Sequence, residues 1–409
     1  MGRALNPTAT LVVVNIGQLV TADPRLPAPG VIEEAVLAAD GEHLVYAGPA
    51  AGFEVATGPD TVEVDAGGAA VIPGFVDAHT HLVWLGDRSE EYAARAEGAS
   101  YEEVAARGGG IRSTVTATAA GSLGELVDAA RERARRMLLL GTTTVEVKSG
   151  YGQTLGAELR QLEAARLLAG EPGLPDVIPT YLPLHGAVDG DRAEYLEAVL
   201  RDGIPAAAGR ARFVDCFCEI GAWSVEECER LLGAGRAVGM GAKVHAEQRS
   251  HSGGSALAAR VGATSADHLD HATDGDLRGL AAARVAGVLL PGASLVLGGP
   301  PPPGRRLIEA GVTPALATDC NPGTCWCESM PLMVSLGVST AGLTPAEALL
   351  AATSGGAHAL GLVDRGRLLP GLRCDALVLE TRNWLEVGYH LGSNPVARVI
   401  RGGRVVASA

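Results

Sequence analysis

The sequence is poor in aromatic residues and in lysine, and it has no long apolar run. Aromatic side chains make up 4% of the 409 residues, whereas the wider hydrophobic set reaches 47%. Valine, leucine and alanine must therefore fill the core. Lysine occurs only at Lys148 and Lys243, and arginine supplies the other basic residues, which we interpret as codon bias from a GC-rich genome. No apolar run reaches about 18 residues, so we expect no transmembrane helix.

Signals for export, for a disulfide framework and for binding to nucleic acid are also missing. Residues 1–5 lack the apolar segment of a secretory signal. The seven cysteines are an odd number, so we expect reduced thiols and a cytoplasmic location. The formal net charge of −14 does not favour a nucleic acid or an anionic membrane as a partner. We therefore expect neither of these as a partner, and the charge is typical of a surface that favours solubility.

Both ends of the chain have the pattern of short β-strands. Asp40-Gly41-Glu42 and Gly402-Gly403 are each flanked by strand-like runs, which predicts two hairpins. Two β-rich ends around a different middle predict a small β-sandwich built from residues 1–70 and 362–409. The strand candidates lie at 11–14, 35–39, 43–47, 61–65, 375–380, 396–400 and 404–407.

The middle of the chain, residues 71–361, alternates short apolar runs with helical segments. Ser122-x-x-Glu125 and Ser224-x-x-Glu227 are capping boxes that mark helix starts. Eight βα units in about 290 residues predict an α/β fold of the TIM (β/α)8 barrel type. A doubly wound open sheet is the alternative, but no Gly-x-Gly-x-x-Gly follows the first strand. The strand candidates lie at 71–76, 143–147, 177–182, 213–218, 242–245, 264–266, 287–290 and 314–317.

Histidines and an aspartate recur at the carboxyl ends of these strands, where a TIM barrel carries its active site. Five of the ten histidines fall there, which a set of purely structural histidines explains poorly. They are His79 and His81 after strand one, His185 after strand three, His245 in strand five and His268 after strand six, with Asp319 after strand eight.

His79 and His81 have the spacing of neighbours on one face of a strand. Both imidazole rings can therefore face the barrel axis. A third histidine and a carboxylate would complete a set of three nitrogens and one oxygen, which suits Zn²⁺ or Fe²⁺. Water in an open coordination position of such a metal has a pKa near 7. The pattern thus predicts metal-dependent hydrolysis.

The segment VIPGFVDAHTH at residues 71–81 resembles the first-strand signature of the amidohydrolase superfamily. The resemblance implies a metal-bearing TIM barrel with a small sandwich made from both termini. Binuclear members carry a carboxylated lysine at the end of strand four. Residues 213–219 contain no lysine, and Lys148 ends strand two, so a single metal is expected.

Three further segments resemble the imidazolonepropionase family of histidine degradation: VEVKSGYG at 145–152, SADHL at 265–269 and ATDCNPGT at 317–324. The resemblance covers nearly the whole barrel. It implies opening of the cyclic amide of 4-imidazolone-5-propanoate to N-formimino-L-glutamate, one Zn²⁺ or Fe²⁺/Fe³⁺ per subunit, and a homodimer. The implied metal ligands are His79, His81, His245 and Asp319, and the implied substrate contacts are Arg88, Tyr151, His185, Gln248, Asn321, Gly323 and Thr324.

The chain departs from the family at one position that matters for proton transfer. Members usually have Glu three residues after the strand-five histidine, and this chain has Gln248. Glutamine hydrogen-bonds but takes no proton at neutral pH. Our hypothesis is that Asp319 accepts the proton of the attacking water while His268 orients that water. Glu247 is the alternative base if the chain bends there.

The sequence has three other interpretations. Another amidohydrolase activity, such as deamination or ring opening of a different N-heterocycle, is supported by the departure at Gln248. A non-catalytic relative would have eroded ligands, whereas all four are present. Cys320, Cys325 and Cys327 lie near Asp319, but their spacing lacks paired Cys-x-x-Cys motifs, so we expect thiols in a loop or the core rather than a metal site.

Overall fold

The computed structural model describes residues 8–98, 109–186, 188 and 190–408. Strands from the two ends of the chain form one sheet of eight strands, in the order β16-β15-β14-β5-β1-β2-β3, with β4 also paired with β1. Both predicted hairpins are present, as β2 with β3 and as β15 with β16. The strands of this sheet are β1 Thr8–Val20, β2 Val31–Asp40, β3 His43–Pro49, β4 Ala56–Asp65, β5 Ala70–Pro73, β14 Ala376–Leu379, β15 Val396–Arg401 and β16 Arg404–Ser408.

The second sheet has eight parallel strands in sequence order, so the predicted barrel is confirmed. Just beyond the last strand, the amide of Asp319 donates to the carbonyl of His79, and the amide of His81 donates to that of Cys320, each at 3.0 Å. These bonds join the first strand to the eighth. The barrel strands are β6 Phe75–Asp77, β7 Thr142–Lys148, β8 Asp176–Leu184, β9 Phe213–Cys218, β10 Gly241–Ala246, β11 Ser265–His268, β12 Ala286–Leu289 and β13 Pro314–Leu316.

Helices follow the barrel strands and cover their outer face. Both predicted capping boxes are formed, at Ser122 and at Ser224. Within the described residues, no helix combines the length and apolarity needed to cross a membrane. The helices are α1 Ser89–Ala96, α2 Ile111–Ala120, α3 Leu123–Leu139, α4 Leu155–Leu168, α5 Arg192–Ala198, α6 Ile204–Ala207, α7 Val225–Ala237, α8 Gly254–Val261, α9 Asp274–Ala283, α10 Pro291–Leu297, α11 Gly304–Ala310, α12 Met330–Ser339, α13 Pro345–Leu350, α14 Gly356–Ala359 and α15 Glu386–Tyr389.

The segment 71–76, predicted as one barrel strand, is two strands. β5 pairs with β1 and β14 of the terminal sheet, and only β6 enters the barrel. The chain crosses between the sheets at Gly74, where an added Cβ would lie 2.3 Å from the Oγ1 atom of Thr143. Periodicity could not locate this break, because both strands are buried and apolar. The division into residues 71–361 and the two ends stays a prediction.

A cluster of charges joins the two sheets at the amino end of the barrel. The carboxylate of Asp176, the first residue of β8, lies 2.8 Å from Arg365 Nη1 and 2.6 Å from Arg401 Nη1. Arg373 Nη2 approaches the same carboxylate at 3.3 Å. Three arginines from the end of the chain are thus attached to one barrel aspartate. We call this set the Asp176 cluster.

Candidate metal centre and active site

Three histidines and one aspartate converge at the carboxyl end of the barrel. His79 and His81 follow β6, and His245 lies near the end of β10. The Nε2 atoms of His81 and His245 are 3.5 Å apart. Asp319 Oδ1 lies 3.5 Å from the Nε2 atom of His79 and 3.6 Å from that of His81. All four side chains are buried, so water reaches this point only through the cavity above it.

The other ring nitrogens of two of these histidines face carboxylates. His79 Nδ1 lies 2.6 Å from Asp267 Oδ2. His245 Nδ1 lies 3.1 Å from Asp215 Oδ2. A carboxylate at Nδ1 favours the tautomer with its proton there, which leaves the lone pair of Nε2 available. The two rings are therefore oriented with their free nitrogens toward the same point.

These residues fit a metal ion. The ligand atoms of His79, His81 and His245 lie within 4.8 Å of one another, and the same holds for His79, His268 and Asp319. Nε2 of His79 is buried and has no hydrogen-bond partner, which is costly unless a cation accepts its lone pair. Burial lowers the pKa of His79 well below its ordinary value, with the nearby charge of Lys148 adding to the effect. The ring is thus neutral, as a metal ligand must be.

Asp319 is held by the loop that follows β13. Its Oδ2 atom accepts a hydrogen bond from Thr324 Oγ1 at 3.3 Å, while Oδ1 faces the histidines. Burial raises the pKa of Asp319 to about 7 in the protein alone. Its backbone has a φ of +50°, which turns the side chain away from the course of the strand. One carboxylate therefore faces the metal position with one oxygen and the loop with the other.

His268, at the end of β11, lies beside the same point. Its ring centroid is 5.4 Å from those of His79 and His245. Burial lowers the pKa of His268 well below its ordinary value, so the ring is neutral and can both donate and accept a hydrogen bond. It lines the cavity above the ligands, where it can reach a water molecule.

The cavity above this centre has a volume of about 340 Å³, enough for a small heterocycle. The His185 ring stacks on that of His81 with centroids 4.8 Å apart, and Tyr151 lies 5.2 Å from His185. Nδ1 of His185 lies 3.1 Å from the carbonyl oxygen of Gly150. The sequence-predicted residues that line the cavity are His81, Arg88, Tyr151, His185, His245, Gln248, His268, Asp319, Asn321, Gly323 and Thr324.

Arg88 is held on the cavity wall by a residue that sequence reasoning missed. Glu91, one turn later, accepts from Arg88 Nε at 2.9 Å and from Nη2 at 2.6 Å. The same carboxylate accepts from the amide of Gly110 at 2.8 Å. Arg88 Nη1 packs over Gly323, where an added Cβ would lie 2.2 Å away. The guanidinium is thus oriented before any substrate arrives, and its position requires a glycine at 323.

The amide of Asn321 is fully used within its own loop. Its nitrogen donates to the carbonyl of Asp319 at 2.6 Å and to Thr324 Oγ1 at 2.7 Å. Its oxygen accepts from the amides of Gly323 and Thr324, each at 2.8 Å. A side-chain amide has two N–H donors, and its oxygen can accept two hydrogen bonds. All four of these bonds are formed within the loop. Asn321 lines the cavity but shapes the loop that carries Asp319 and Thr324.

The loop after β10 separates Glu247 from Gln248. The Glu247 carboxylate accepts from the amide of Ser255 at 2.9 Å and from that of Ser252 at 2.5 Å, beside the start of α8. Glu247 has a φ of +56° and does not line the cavity, whereas Gln248 does. On the other side of Gln248, the carboxylate of Glu219 accepts a hydrogen bond from the amide of Arg249 at 2.8 Å and so fixes the chain there. The structure thus places Gln248, and not Glu247, over the metal centre.

The cysteines near Asp319 are not part of the centre. All seven cysteines of the chain are unpaired. Among the described residues, the side-chain groups that could hold a metal include none of them. Cys320 and Cys325 are buried in the core behind the loop. The expectation of loop or core thiols agrees with this placement.

Sequence reasoning also missed the carboxylates and lysines below the ligands. Glu146, Asp215 and Asp267 are fully buried inside strands β7, β9 and β11. The signal was present, because a charged residue inside an apolar parallel strand is rare unless it is paired. Which charges meet was not predictable, since the partners lie on different strands.

Comparisons with known proteins identify the family of the chain. The sequence model of the Amidohydrolase family matches residues 70–406. The imidazolonepropionase of Symbiobacterium thermophilum is 45% identical, covering 97% of each chain. The imidazolonepropionase of Deinococcus deserti is 46% identical over 95% of this chain and 97% of its own. That of Mycolicibacterium smegmatis is 41% identical over 97% and 98%.

Solved structures share the fold at lower identity. N-isopropylammelide isopropylaminohydrolase from Burkholderia multivorans has a TM-score of 0.70 at 21% identity, covering 98% of both chains. An adenosine deaminase from Xanthomonas campestris with bound zinc has a TM-score of 0.72 at 19% identity, covering 98% of this chain and 93% of its own. The fold, the converging ligands and the similarity over nearly the whole length lead to one assignment. The chain belongs to the amidohydrolase family and, within it, to the imidazolonepropionases.

Proposed function

We propose that this protein hydrolyses the cyclic amide of 4-imidazolone-5-propanoate to N-formimino-L-glutamate, a step of histidine degradation. One observation carries the proposal. The Nε2 atoms of His79, His81 and His245 and the Oδ1 atom of Asp319 converge at the floor of a cavity that Arg88 enters from the wall. A ring carbonyl beside the candidate ligands and an anionic tail beside Arg88 would fit those two places.

One metal ion per subunit, Zn²⁺ or Fe²⁺/Fe³⁺, would be held by His79, His81, His245 and Asp319. Three imidazoles and a carboxylate suit both elements. When bound, such an ion polarises the ring carbonyl and lowers the pKa of water, so that hydroxide is available near neutral pH. Lys148 lies on β7 and no lysine lies on β9, which supports a single ion.

Asp319 and His268 are proposed to handle the water. Asp319 accepts the water proton, and His268 orients the water through a ring nitrogen. The water oxygen bonds to the ring carbonyl carbon, the carbon–nitrogen bond breaks, and the departing nitrogen takes the proton from Asp319. Asp319 suits this role by its position, because one oxygen faces the histidines while the other accepts from Thr324.

The wall of the cavity is proposed to bind the substrate. Arg88 pairs with the propanoate carboxylate, because its guanidinium is held by Glu91 and still presents Nη1 beside Gly323. Tyr151 and His185 hydrogen-bond the ring or tail. Thr324 and the backbone at Gly323 border the ring, while Asn321 keeps that loop in shape.

Gln248 is proposed to orient the ring rather than to transfer a proton. It lines the cavity, and a side-chain amide donates and accepts hydrogen bonds without titrating. Glu247 is proposed to stabilise the turn before α8, because its two oxygens accept from backbone amides there.

Turnover of 4-imidazolone-5-propanoate by metal-loaded protein tests the function. Formation of N-formimino-L-glutamate is expected, with loss of activity in chelator and its return on adding Zn²⁺ or Fe²⁺. A metal-loaded sample that leaves this substrate intact would refute the assignment. Guanine-like and cytosine-like rings serve as comparison substrates, since deamination of another N-heterocycle is the alternative that Gln248 in the cavity favours.

We also propose a homodimer, on the basis of the family resemblance, and a cytoplasmic location, on the basis of seven unpaired thiols. Light scattering tests the first by a mass twice that of the 41.7 kDa chain. Fractionation of the source cells tests the second.

A further inference from the structure

The only two lysines of the chain lie below the candidate metal centre, and both are buried. Lys148 ends β7 and Lys243 lies in β10, and the exposed fractions of these residues are 1% and 0%. A buried ammonium is unfavourable unless carboxylates compensate it. By contrast, arginine forms ion pairs with carboxylates at the described surface. Two lysines at one buried place therefore call for a specific reason.

Lys148 contacts the carboxylates that orient the histidines. Its Nζ atom lies 2.7 Å from Asp215 Oδ2, and that same oxygen lies 3.1 Å from His245 Nδ1. Nζ also lies 3.7 Å from Asp267 Oδ2, the oxygen that is 2.6 Å from His79 Nδ1. One ammonium therefore stands behind two of the three histidine ligands.

A third carboxylate holds the Lys148 ammonium in this place, and the second lysine lies beside Asp267. Glu146 Oε1 lies 2.7 Å from Lys148 Nζ and also accepts from Thr180 Oγ1 at 2.5 Å. Lys243 Nζ donates to the carbonyl of Ala78 at 3.1 Å and lies 3.4 Å from Asp267 Oδ2. Lys243 is thus nearer than Lys148 to Asp267, at 3.4 Å against 3.7 Å, but Lys148 contacts both aspartates.

Lys148 carries a positive charge among these carboxylates. Burial alone would lower the pKa of Lys148, but Asp215, Glu146 and Asp267 outweigh it and raise that pKa above its ordinary value. An ionised aspartate accepts the Nδ1 proton of its histidine, which keeps the Nε2 lone pair directed at the metal and makes it more basic.

We propose that Lys148 is a positioning residue of the candidate metal centre: it holds the carboxylates of Asp215 and Asp267 in place, and through them sets the orientation of His245 and His79. Lys243 assists at Asp267 alone. Lys148 touches neither the metal position nor the substrate cavity. The inference rests on the metal centre proposed above.

The test measures the affinity of the metal-free protein for Co²⁺ and Zn²⁺ by competition with a chromophoric chelator. Lys148→Met keeps an unbranched side chain, one atom shorter, and removes its charge. We expect about tenfold weaker binding, the lower end of the 10- to 100-fold loss typical when an outer partner of a ligand is removed. The visible absorption bands of bound Co²⁺ should shift as well, and Lys243→Met should lose less affinity.

Arg365→Met is the matched control. It removes a mostly buried cation that lies 2.8 Å from a carboxylate at the opposite end of the barrel. It should lower the melting temperature and leave metal affinity and the Co²⁺ spectrum unchanged. If Lys148→Met changed affinity no more than Arg365→Met, the inference would be refuted while the metal centre stood.

A double variant covers the case in which Lys148→Met alone does not fold. Asp215→Asn with Lys148→Met removes one charge of each sign and so keeps the buried balance. If Lys148 acts through Asp215, the double variant should bind Zn²⁺ and Co²⁺ less than about tenfold more weakly than Asp215→Asn alone, because the partner through which Lys148 acts is already changed there. A further loss of about tenfold or more in the double variant would contradict the inference. Wild-type protein that binds neither ion would overturn the metal centre and this inference together.

Discussion

The two ends of the barrel each bury a cluster of charges, and they put them to different uses. At the amino end, Asp176 meets the guanidinium groups of Arg365, Arg373 and Arg401. At the carboxyl end, the carboxylates behind the ligands meet lysine on one side and imidazole on the other. The Asp176 cluster joins two sheets, whereas the charges at the carboxyl end orient histidine rings whose free lone pairs face a cavity.

The difference shows that burial of charge alone does not mark an active site. Both clusters contain well-paired, poorly exposed ions, and perturbed pKa values occur in both. What distinguishes the carboxyl end is that its histidines and Asp319 converge below a cavity, with His81, His245, His268 and Asp319 lining it. Substitutions at the two ends should therefore separate control of turnover from control of stability.

The largest expected effect is on turnover, at the carboxyl end. Asp319→Asn keeps the shape of the side chain but removes the proposed proton acceptor and a negative ligand. We expect kcat to fall by about 10²- to 10⁴-fold, the range for loss of general acid–base catalysis. Steady-state kinetics on 4-imidazolone-5-propanoate, with metal content measured in parallel, checks this. Near-normal turnover with the metal retained would contradict the role of Asp319.

The next effect is on stability, at the amino end. Asp176→Asn leaves three arginines without their shared carboxylate, so we expect the free energy of unfolding to fall by about 2 to 3 kcal/mol, less than for a fully buried ion because Asp176 is partly exposed. Turnover per folded molecule should not change. Urea denaturation and kinetics at low denaturant measure both quantities. A large loss of kcat would mean that the two ends are coupled.

Within the carboxyl end, the wall of the cavity should differ from its floor. Arg88→Gln removes the proposed contact with the substrate carboxylate, a charge-assisted bond of about 1.5 to 3 kcal/mol, so kcat/KM should fall roughly 10- to 100-fold, chiefly through KM. Arg95→Gln is the control, since Arg95 also lines the cavity but has no assigned role. If Arg95→Gln raised KM as much, the carboxylate would be bound elsewhere.

The smallest effect concerns the loop after β10. Glu247→Gln loses one acceptor for the backbone amides before α8, so the free energy of unfolding should fall by about 1 kcal/mol, as for loss of a helix cap. Turnover should change little. Gln248→Ala, one residue later, should instead raise KM and leave stability nearly unchanged. A collapse of kcat in Glu247→Gln would restore Glu247 as the base.

The predictable part of the site follows from simple periodicities. His79 and His81 share a strand face, and Asp319 follows the last strand, so their meeting required only the barrel rule and the count of strands. The charged residues behind the histidines were harder to predict. Asp215 and Asp267 were visible as charges in buried strands, but their pairing with Lys148 depends on which faces three neighbouring strands present to one another.

The sequence by itself determined the barrel, the terminal strands and the ligands at the strand ends, because these depend on local repeats and on a topology with few solutions. Only the tertiary structure decided that the chain leaves the terminal sheet at Gly74, that Asn321 serves its own loop, and that Gln248 rather than Glu247 faces the cavity. The last choice depends on a φ of +56° at Glu247 and on the amides of Ser252 and Ser255. The physical reason is common to all three: each is set by hydrogen bonds or close packing between segments, and no local pattern of residues encodes it.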